Sequence, residues 1–278
     1  MYTQTQQPAL DSRKTNDDEI VVQTMVQNRR VYTTFANRDK YVEFILSDAE
    51  GAKLCNEVLY GPVHTFFDLD CPLQIPELGF DNILEFITIM NDLLIRVYSE
   101  YLGLELHARS ILWSESCRKD KSSFHIVIKS MDFCWEASQV STDLREFAKI
   151  VRDESLKTQG LHFLFPKNDE IQMRSVLDTV IYHQNRCFRT VNCRKPGIQK
   201  ALLPLKNGEH IRITHSVLVQ HLVTDPDTDK KPYKLLKRRK VVTKKPVMSR
   251  TLLDRLANQF GCRVHKVAGT LVQLRNIT

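Results

Sequence analysis

The chain has 278 residues, of which 42% are hydrophobic and 26% charged, proportions typical of a folded globular protein. No apolar run approaches the roughly 20 residues that a membrane helix needs, and the amino terminus lacks the apolar stretch of a secretory signal, so we expect an intracellular protein without a membrane partner. The net charge of +7 indicates an anionic partner, and seven scattered cysteines without a C-x-x-C pair argue for a reducing compartment and against a zinc knuckle.

From residue 19 to 225, apolar periodicity predicts strands that alternate with helices. In chain order we predict strands at Ile20–Val26 and Arg30–Phe35, a helix from Asn37 that turns Tyr41, Phe44 and Ile45 inward, a strand at Val63–Leu69 and a helix from Asn82 to about Leu102. We then predict strands at Ser110–Trp113 and Ser123–Lys129, a helix from about Ser138 to Glu154, strands at Val176–Tyr182, Arg186–Val191 and His210–Ile213, and a short helix or strand at His215–His221. This order favours an α+β or mixed α/β core over residues 19–225, preceded by a flexible tail at 1–18.

The composition becomes strongly basic after residue 225, where we predict a linker over residues 226–248. Nine lysines and arginines lie from Lys230 to Lys245 without an acid, so the positive charge of this segment exceeds the net charge of +7 of the whole chain. Three interpretations stay open: a nuclear localisation signal, a solvated linker, or an arm that grips nucleic-acid phosphates, whose binding residues would be Lys237, Arg238, Arg239 and Lys240. An amphipathic helix at Arg250–Phe260 predicts a C-terminal helical tail over residues 249–278.

The first chemical motif is His64-Thr-Phe-Phe-Asp68-Leu-Asp70, at the end of a predicted strand. Residues two apart in a strand point to the same face, so the two carboxylates emerge together while Phe67 and Leu69 face the other side. Two acids this close repel each other unless a cation lies between them, and a hard divalent ion such as Mg²⁺ or Mn²⁺ suits oxygen ligands. A strand end with two solvated acids is the structural alternative.

The second motif is Lys121-Ser-Ser-Phe-His125-Ile-Val-Ile-Lys129. By the same period of two, Lys121, Ser123 and His125 share one face, and the apolar residues between them face the core. An ammonium, a hydroxyl and an imidazole in a row form a set of donors suited to a polyphosphate. A half-buried edge strand with a polar face is the alternative.

The third motif places Asp178 ahead of a turn rich in cations, among them Arg186, Arg189 and Lys195. The acid could complete a set of oxygen ligands, and the cations could neutralise phosphates, as phosphoryl-transfer sites require. Taken alone, the segment is better interpreted as a basic hairpin that binds nucleic-acid backbone. The order and spacing of the three motifs together are more specific than any one of them.

Together the motifs resemble those of the archaeo-eukaryotic primase superfamily: two acids on a strand, then S-x-H, then a further acid after apolar residues. The sequence is most similar to the branch that contains eukaryotic PrimPol and the primases of herpesviruses and large nucleocytoplasmic DNA viruses. That branch has K-x-S-x-H, then an acid followed by Y-x-x-N-R-x-F-R and a lysine; the second set reads here as Asp178, Tyr182, Asn185, Arg186, Phe188, Arg189 and Lys195. The resemblance covers about residues 50–225 and includes His215-Ser-Val-Leu-Val, which is similar to the element that closes the core.

The resemblance implies an α+β primase catalytic core, with mixed sheets flanked by helices and an RRM-like catalytic subdomain, and hence a DNA primase or DNA-directed polymerase. It implies that two Mg²⁺ or Mn²⁺ ions are held by Asp68, Asp70 and Asp178. It also implies that an NTP or dNTP is bound by Lys121, Ser123, His125, Arg189 and Lys195, with Arg186 supporting the site or the template. The other implied partners are a single-stranded DNA template and a helicase or single-strand-binding protein, in the nucleus or at a site of viral DNA replication.

The sequence departs from this branch in two ways. The zinc-binding module that follows the core in many members is missing, since Cys262 and His265 have no partner ligands nearby, so no zinc is expected. In the family that module helps to hold the initiating nucleotide, and we therefore expect this chain to extend primers readily but to initiate poorly without a partner. There is also no helicase domain, so another protein would unwind the template.

Two other classes of function fit part of the pattern. A glycosyltransferase also uses a D-x-D motif to bind a metal and a nucleotide diphosphate, but it has no use for the strand at Lys121–His125 or for the arginine-rich turn. A non-catalytic accessory subunit that binds nucleic acid would be expected to lose the three acids, all of which are present.

Overall fold

A computed structural model describes the chain over residues 2–3, 19–129, 133–167, 170–183, 187–224, 231–232, 262–268 and 271–276. Within these ranges the chain is an α+β structure of helices and largely antiparallel sheets. No helix in the described part of the chain is long and apolar enough to cross a membrane.

The strands of the described ranges fall into four sheets. Their bounds are β1 Tyr2–Thr3, β2 Ile20–Val26, β3 Arg29–Phe35, β4 Asn56–Val58, β5 Pro62–Val63, β6 Thr65–Cys71, β7 Ile111–Glu115, β8 Ser122–Ile128, β9 Phe133–Glu136, β10 His162–Lys167, β11 Glu170–Ser175, β12 Leu177–Asp178, β13 Cys187–Arg189, β14 Leu203–Lys206, β15 Glu209–His210, β16 Lys231–Pro232, β17 Cys262–Ala268 and β18 Leu271–Asn276. The orders within the sheets are β12-β6-β8-β7-β14-β15, β1-β3-β2-β4-β13, β10-β11-β18-β17 and β16-β9-β5.

Four α-helices accompany these strands in the described ranges: α1 Arg38–Leu46, α2 Ile83–Val97, α3 Arg145–Ser155 and α4 His215–His221. Asn37 caps α1 by accepting the backbone N–H of Lys40 at 2.9 Å, and Asn82 caps α2 by accepting that of Glu85 at 3.0 Å. Each such cap stabilises its helix by about 1 kcal/mol. The two caps therefore explain why these helices begin where the sequence predicts.

The six-stranded sheet separates an apolar face from a polar one. Side chains of β6 and β8 on the apolar face pack against α2 and α3; Phe124 lies 5.2 Å from Phe86 of α2 and Phe67 lies 6.3 Å from Phe147 of α3, between ring centroids. All four rings are buried, and burial of each contributes roughly 1.5–3 kcal/mol. The helices thus cover one face of the sheet and leave the alternate residues of β6 and β8 on the other.

A second core lies under the five-stranded sheet, where α1 and α4 pack. The buried residues there are Ile20, Val22, Tyr41, Val42, Ile45, Cys55, Val191, Cys193, Leu202, Leu218 and Leu222. The Tyr41 hydroxyl is hydrogen-bonded to that of Thr190 at 2.6 Å, which ties α1 to the segment after β13. This core therefore supports the chain that follows Arg189.

Most of the predicted elements up to residue 129 are confirmed, together with α4, but the predicted strand Val63–Leu69 is wrong in one respect. His64 interrupts it, because its N–H donates to the Val223 carbonyl at 2.9 Å. Pro62–Val63 then pairs with β9, whereas Thr65–Cys71 joins the six-stranded sheet. This one apolar run of sequence therefore contributes a strand to each of two sheets.

The predicted strand Val176–Tyr182 is also mostly wrong. Only Leu177–Asp178 is a strand, and the chain then turns into a 3₁₀ segment at Val180–Tyr182. The reason is local: the Asp178 side chain accepts the N–H of Val180 at 2.8 Å, which competes with continued strand pairing.

Other boundaries differ from the predictions. The helix from Asn82 changes at Tyr98–Leu102 into a π-helical turn, and the one predicted from Ser138 begins with 3₁₀ and π turns before α3. The strand predicted at His210–Ile213 ends at His210. Strands that the sequence did not predict are β1, β4, β9, β10, β11, β14, β16, β17 and β18, and the helix predicted at Arg250–Phe260 lies outside the described residues.

Candidate active site

Asp68, Asp70 and Asp178 lie on the polar face of the six-stranded sheet. β12 pairs antiparallel with β6, with Asp178 directly opposite Asp68, and the Asp70 N–H donates to the Val176 carbonyl at 2.7 Å. Residues directly opposite each other share a face of a sheet, as do residues two apart on one strand. The structure therefore brings together the three acids that the sequence identified.

The turn after Asp178 is anchored to the strand that carries the other two acids. Tyr182 is fully buried, and its hydroxyl donates to the Phe66 carbonyl at 2.5 Å. Its ring also packs against the Phe66 ring, 5.3 Å away between centroids. Tyr182 is therefore a structural member of the motif, because it holds Asp178 in place beside β6.

The Asp68 carboxyl is affected both by burial and by the charges around it. Its side chain is 20% exposed. Burial, together with the negative charges of Asp70 and Asp178, raises the pKa of this carboxyl to about 7, although Lys195 and Arg189 act in the opposite direction. A bound cation would relieve the repulsion among the acids and restore the ionised form.

Lys121 connects the acids to a set of cations. Its Nζ donates to Oδ2 of Asp70 at 2.6 Å and lies 2.5 Å from Oδ1 of the same carboxylate. The two side chains are 27% and 35% exposed, so solvent partly screens this pair. The ammonium is thus placed between Asp70 and the residues that line the neighbouring cavity.

Ser123 and His125 lie on the same face as the acids. The antiparallel register of β6 and β8 puts Ser123 opposite Asp70 and His125 opposite Asp68. The residues between them on β8, such as Phe124, are buried against the helices. The predicted arrangement of polar and apolar residues on this strand is therefore the one observed.

The imidazole of His125 is held in a defined orientation. It stacks on Phe188, with the ring centroids 4.3 Å apart, and its Nε2 lies 3.6 Å from Oδ1 of Asp68, a contact longer than a hydrogen bond. Burial, and then the charges of Arg189 and Lys195, hold the pKa of His125 well below its usual value. The ring is therefore neutral at pH 7 and has one N–H to donate.

Arg189 and Lys195 extend the site away from the acids. Arg189 is only 7% exposed, and its Nη2 donates to the Ser116 hydroxyl at 2.9 Å. Burial lowers the pKa of Lys195, and the positive charge of Arg189 lowers it further. A cavity of about 40 Å³ lies at this point, and its polar lining residues are Ser116, Arg118, Lys121, Ser123, Arg189 and Lys195. The arrangement is suited to binding an anion.

The sequence did not identify Ser116, Arg118 or the buried carboxylate of Glu115, the last residue of β7. Oε1 of Glu115 contacts Lys200 Nζ at 3.0 Å and His210 Nε2 at 2.6 Å, and its other oxygen accepts the Cys117 N–H. These residues join the end of β7 to the β14–β15 hairpin. The only signal in the sequence was the alternation Ser114-Glu-Ser116 at a strand end, which many strands share.

Several residues of the predicted site lie outside the described residues. They are Asn185 and Arg186 of the third motif, and Lys237, Arg238, Arg239 and Lys240 of the basic segment. Their predicted roles stay predictions.

The acids fit a divalent cation by their chemistry. No three His, Cys, Asp or Glu side chains in the described ranges are arranged to hold a metal ion as they stand. However, Asp68, Asp70 and Asp178 offer only oxygen ligands on one face, which Mg²⁺ and Mn²⁺ prefer. Burial first, and then the charges of Asp70 and Asp178, raise the pKa of the Asp68 carboxyl, and a bound cation would favour its ionised form.

No protein-family model matches the sequence, and no curated protein matches it either. The motifs, and the way in which the fold combines their side chains, are therefore the features of this chain that indicate a function.

Proposed function

We propose that this chain is a DNA-directed nucleotidyltransferase of the archaeo-eukaryotic primase type, which makes or extends primers on a single-stranded DNA template. The observation that carries the proposal is the register of three strands. Residues more than 100 positions apart in the sequence, Asp68 and Asp178, are direct partners across β6 and β12, and His125 lies opposite Asp68 on the other side. This combines carboxylates for a metal with donors for a phosphate on one face.

The cationic end of the site would bind the incoming nucleotide. Lys121, Arg189 and Lys195 supply positive charge beside the cavity, and Ser123 supplies a hydroxyl. The neutral His125 can donate its single N–H without adding charge. Charge-assisted hydrogen bonds of this kind fix a phosphate chain in place and offset its negative charge.

The acidic end of the site would hold the metal ions. Activation of the primer 3′-hydroxyl and stabilisation of the departing pyrophosphate are the chemistry that two Mg²⁺ or Mn²⁺ ions supply when bound to Asp68, Asp70 and Asp178. The protein contributes the positions of these carboxylates, the orientation of His125 over Phe188 and the cations that hold the polyphosphate. No side chain is required as a general base in this scheme.

The proposal extends to the fold and the partners. The α+β structure, with α2 and α3 on one face of the sheet, is compatible with a primase core that has an RRM-like catalytic subdomain. We propose NTP or dNTP and single-stranded DNA as substrates, a helicase or single-strand-binding protein as a partner, and the nucleus or a viral replication site as the location.

Primer extension tests the proposal directly. A labelled primer on single-stranded DNA is incubated with Mg²⁺ or Mn²⁺ and with ribo- or deoxyribonucleotides in separate reactions. We expect metal-dependent extension by the wild-type chain, and a loss of at least about 100-fold in Asp70→Ala, since one electrostatic element of a catalytic site commonly contributes that much. The matched control is Asp92→Ala, because Asp92 is an exposed acid on α2 away from the polar face.

Two outcomes would contradict the proposal. Equal extension by Asp70→Ala and wild type would remove the acids from the chemistry. No incorporation with any metal or nucleotide, by a folded chain that still binds DNA, would instead favour an accessory subunit. A lane without primer measures initiation, which we expect to be much weaker than extension.

A further inference from the structure

The turn between β7 and β8 carries an arginine to which the motifs assign no role. Arg118 and Lys121 exchange both backbone hydrogen bonds, at 2.8 and 3.2 Å, so that Lys119 and Asp120 form a two-residue loop. The Gln74 side chain donates to the Arg118 carbonyl at 2.7 Å from outside the hairpin. These three hydrogen bonds fix the backbone from which the Arg118 side chain projects.

Arg118 lines the cavity that also receives Lys121, Arg189 and Lys195. Four cations therefore surround a space that no carboxylate of the described residues lines. The Nε of Arg189, a residue only 7% exposed, has no hydrogen-bond partner among the described residues. A buried guanidinium N–H without an acceptor is unfavourable, and an anion bound among these four cations would offer acceptor oxygens beside Arg189, which lines the cavity.

The donors of β8 are arranged in one direction from the acids. His125 is opposite Asp68 and Ser123 is opposite Asp70, while the pairing of β6 with β8 ends at the next residue, Ser122. Arg118 lies beyond that end, in the turn. If the acids lie beside the phosphate at which the new bond forms, the turn that carries Arg118 lies beside the far end of the phosphate chain.

We propose that Arg118 binds the terminal phosphate of the nucleotide and makes the site selective for triphosphates over diphosphates. This inference rests on the proposed function. In the free protein the Arg118 guanidinium lies 3.3 Å from the Asp120 carboxylate, and the two side chains are 40% and 72% exposed. Such a pair is weak in water, and a doubly charged phosphate can displace the carboxylate because it offers more acceptors in the same fork geometry.

Calorimetric titration without DNA tests this inference. The full chain, with Mg²⁺, is titrated with ATP, ADP, dATP and dADP, and the measured quantity is the ratio of triphosphate to diphosphate affinity. We expect Arg118→Ala to lower this ratio by about tenfold, the effect of one lost charge-assisted hydrogen bond. Lys119→Ala is the matched control, since it removes the same charge from the same turn at an exposed residue that does not line the cavity; we expect its ratio to equal that of wild type.

A third variant distinguishes the role of Arg118 from a general effect of net charge on nucleotide affinity. Asp120→Asn removes the carboxylate that competes for Arg118, and we expect it to raise the affinity for triphosphate but not for diphosphate. An unchanged ratio in Arg118→Ala, or an equal fall in Lys119→Ala, would overturn the inference. Selective triphosphate binding without any primer extension would refute the proposed polymerase and leave the role of Arg118 intact, whereas failure of the wild type to bind any nucleotide would overturn both.

Discussion

Replacement of Asp68 by asparagine should stabilise the free protein and abolish its activity. The Asp68 carboxyl is buried opposite Asp178 and two residues from Asp70, and the negative charges of both work against its ionisation. Asparagine keeps the shape and a polar side chain but carries no charge. The variant therefore removes an unfavourable interaction that the proposed metal ions would otherwise relieve.

The size of the effect follows from the pKa. Folding raises the pKa of Asp68 from 3.8 to about 7; about three units at ~1.36 kcal/mol each give an upper limit of about 4 kcal/mol. Because the side chain keeps 20% exposure, we expect about half of this, about 2 kcal/mol. A carboxyl with a raised folded pKa favours the folded state when protonated, so wild type has this contribution below about pH 4 and loses it as the pH rises through about 7.

Urea unfolding at about pH 4 and about pH 8 measures the prediction. Asp68→Asn should match wild type at the lower pH and exceed it by about 2 kcal/mol at the higher one. Mn²⁺ at pH 8 should stabilise wild type more than the variant, because a ligand stabilises the state that binds it. The argument from buried charge repulsion would be refuted if the variant were no more stable than wild type at pH 8, or if its gain in stability were the same at both pH values. Asp92→Asn is the control, because it removes the charge of an exposed acid.

Two further substitutions address the cationic side of the site. Ser116→Ala removes the hydroxyl that accepts from Arg189, so we expect KM for nucleotide to rise about fivefold with little change in kcat in steady-state extension assays. The control is Ser122→Ala, which removes a hydroxyl on the opposite face of β8. An equal KM in the two variants would contradict the role of Ser116 in positioning Arg189. Glu115→Gln removes the charge that pairs with Lys200 at 3.0 Å, and we expect a loss of about 2 kcal/mol in the free energy of unfolding at pH 7. Burial opposes ionisation of Glu115, but its hydrogen bonds outweigh burial and lower the pKa of the carboxyl. The loss of stability in the variant should therefore shrink as the pH falls through that pKa. A loss of stability that stays constant down to acidic pH would count against the ion pair as its cause.

The periodicity of the sequence was sufficient to predict the helices and strands that have one distinct apolar face. α2 shows the helical spacing and an asparagine cap, and β8 alternates between polar and apolar residues from Ser123 to Ile126. The two failed strand predictions have different origins: the turn after Asp178 follows from a local hydrogen bond to Val180, whereas the break at His64 follows from a distant one. The break at His64 depends on the carbonyl of Val223, about 160 residues later, and no local pattern encodes that contact.

The candidate site was predictable only in part for a related reason. The acids and the K-x-S-x-H donors lie on elements whose faces follow from a period of two, and the structure brings them together in register. Ser116 and Arg118 lie in a turn, where side-chain direction depends on the loop and on Gln74 rather than on any periodicity. The sequence therefore predicted the residues that belong to the three motifs and missed Ser116 and Arg118, which the connection between β7 and β8 contributes.

The arrangement of charge along β8 gives the site a direction. Its residue opposite Asp68 is a neutral histidine, and the chain then passes Ser123 and Lys121 before it reaches the cationic turn at Arg118. A nucleotide bound along this strand would have its reacting phosphate at the acids and its leaving pyrophosphate among the cations. Lys121 pairs with Asp70 where the two groups of charges meet, while the acids repel one another on one side and Arg189 and Lys195 repel each other on the other side. A metal-bound triphosphate carries both kinds of charge in the matching order, which is why the two halves of this site are better explained by one ligand than by two.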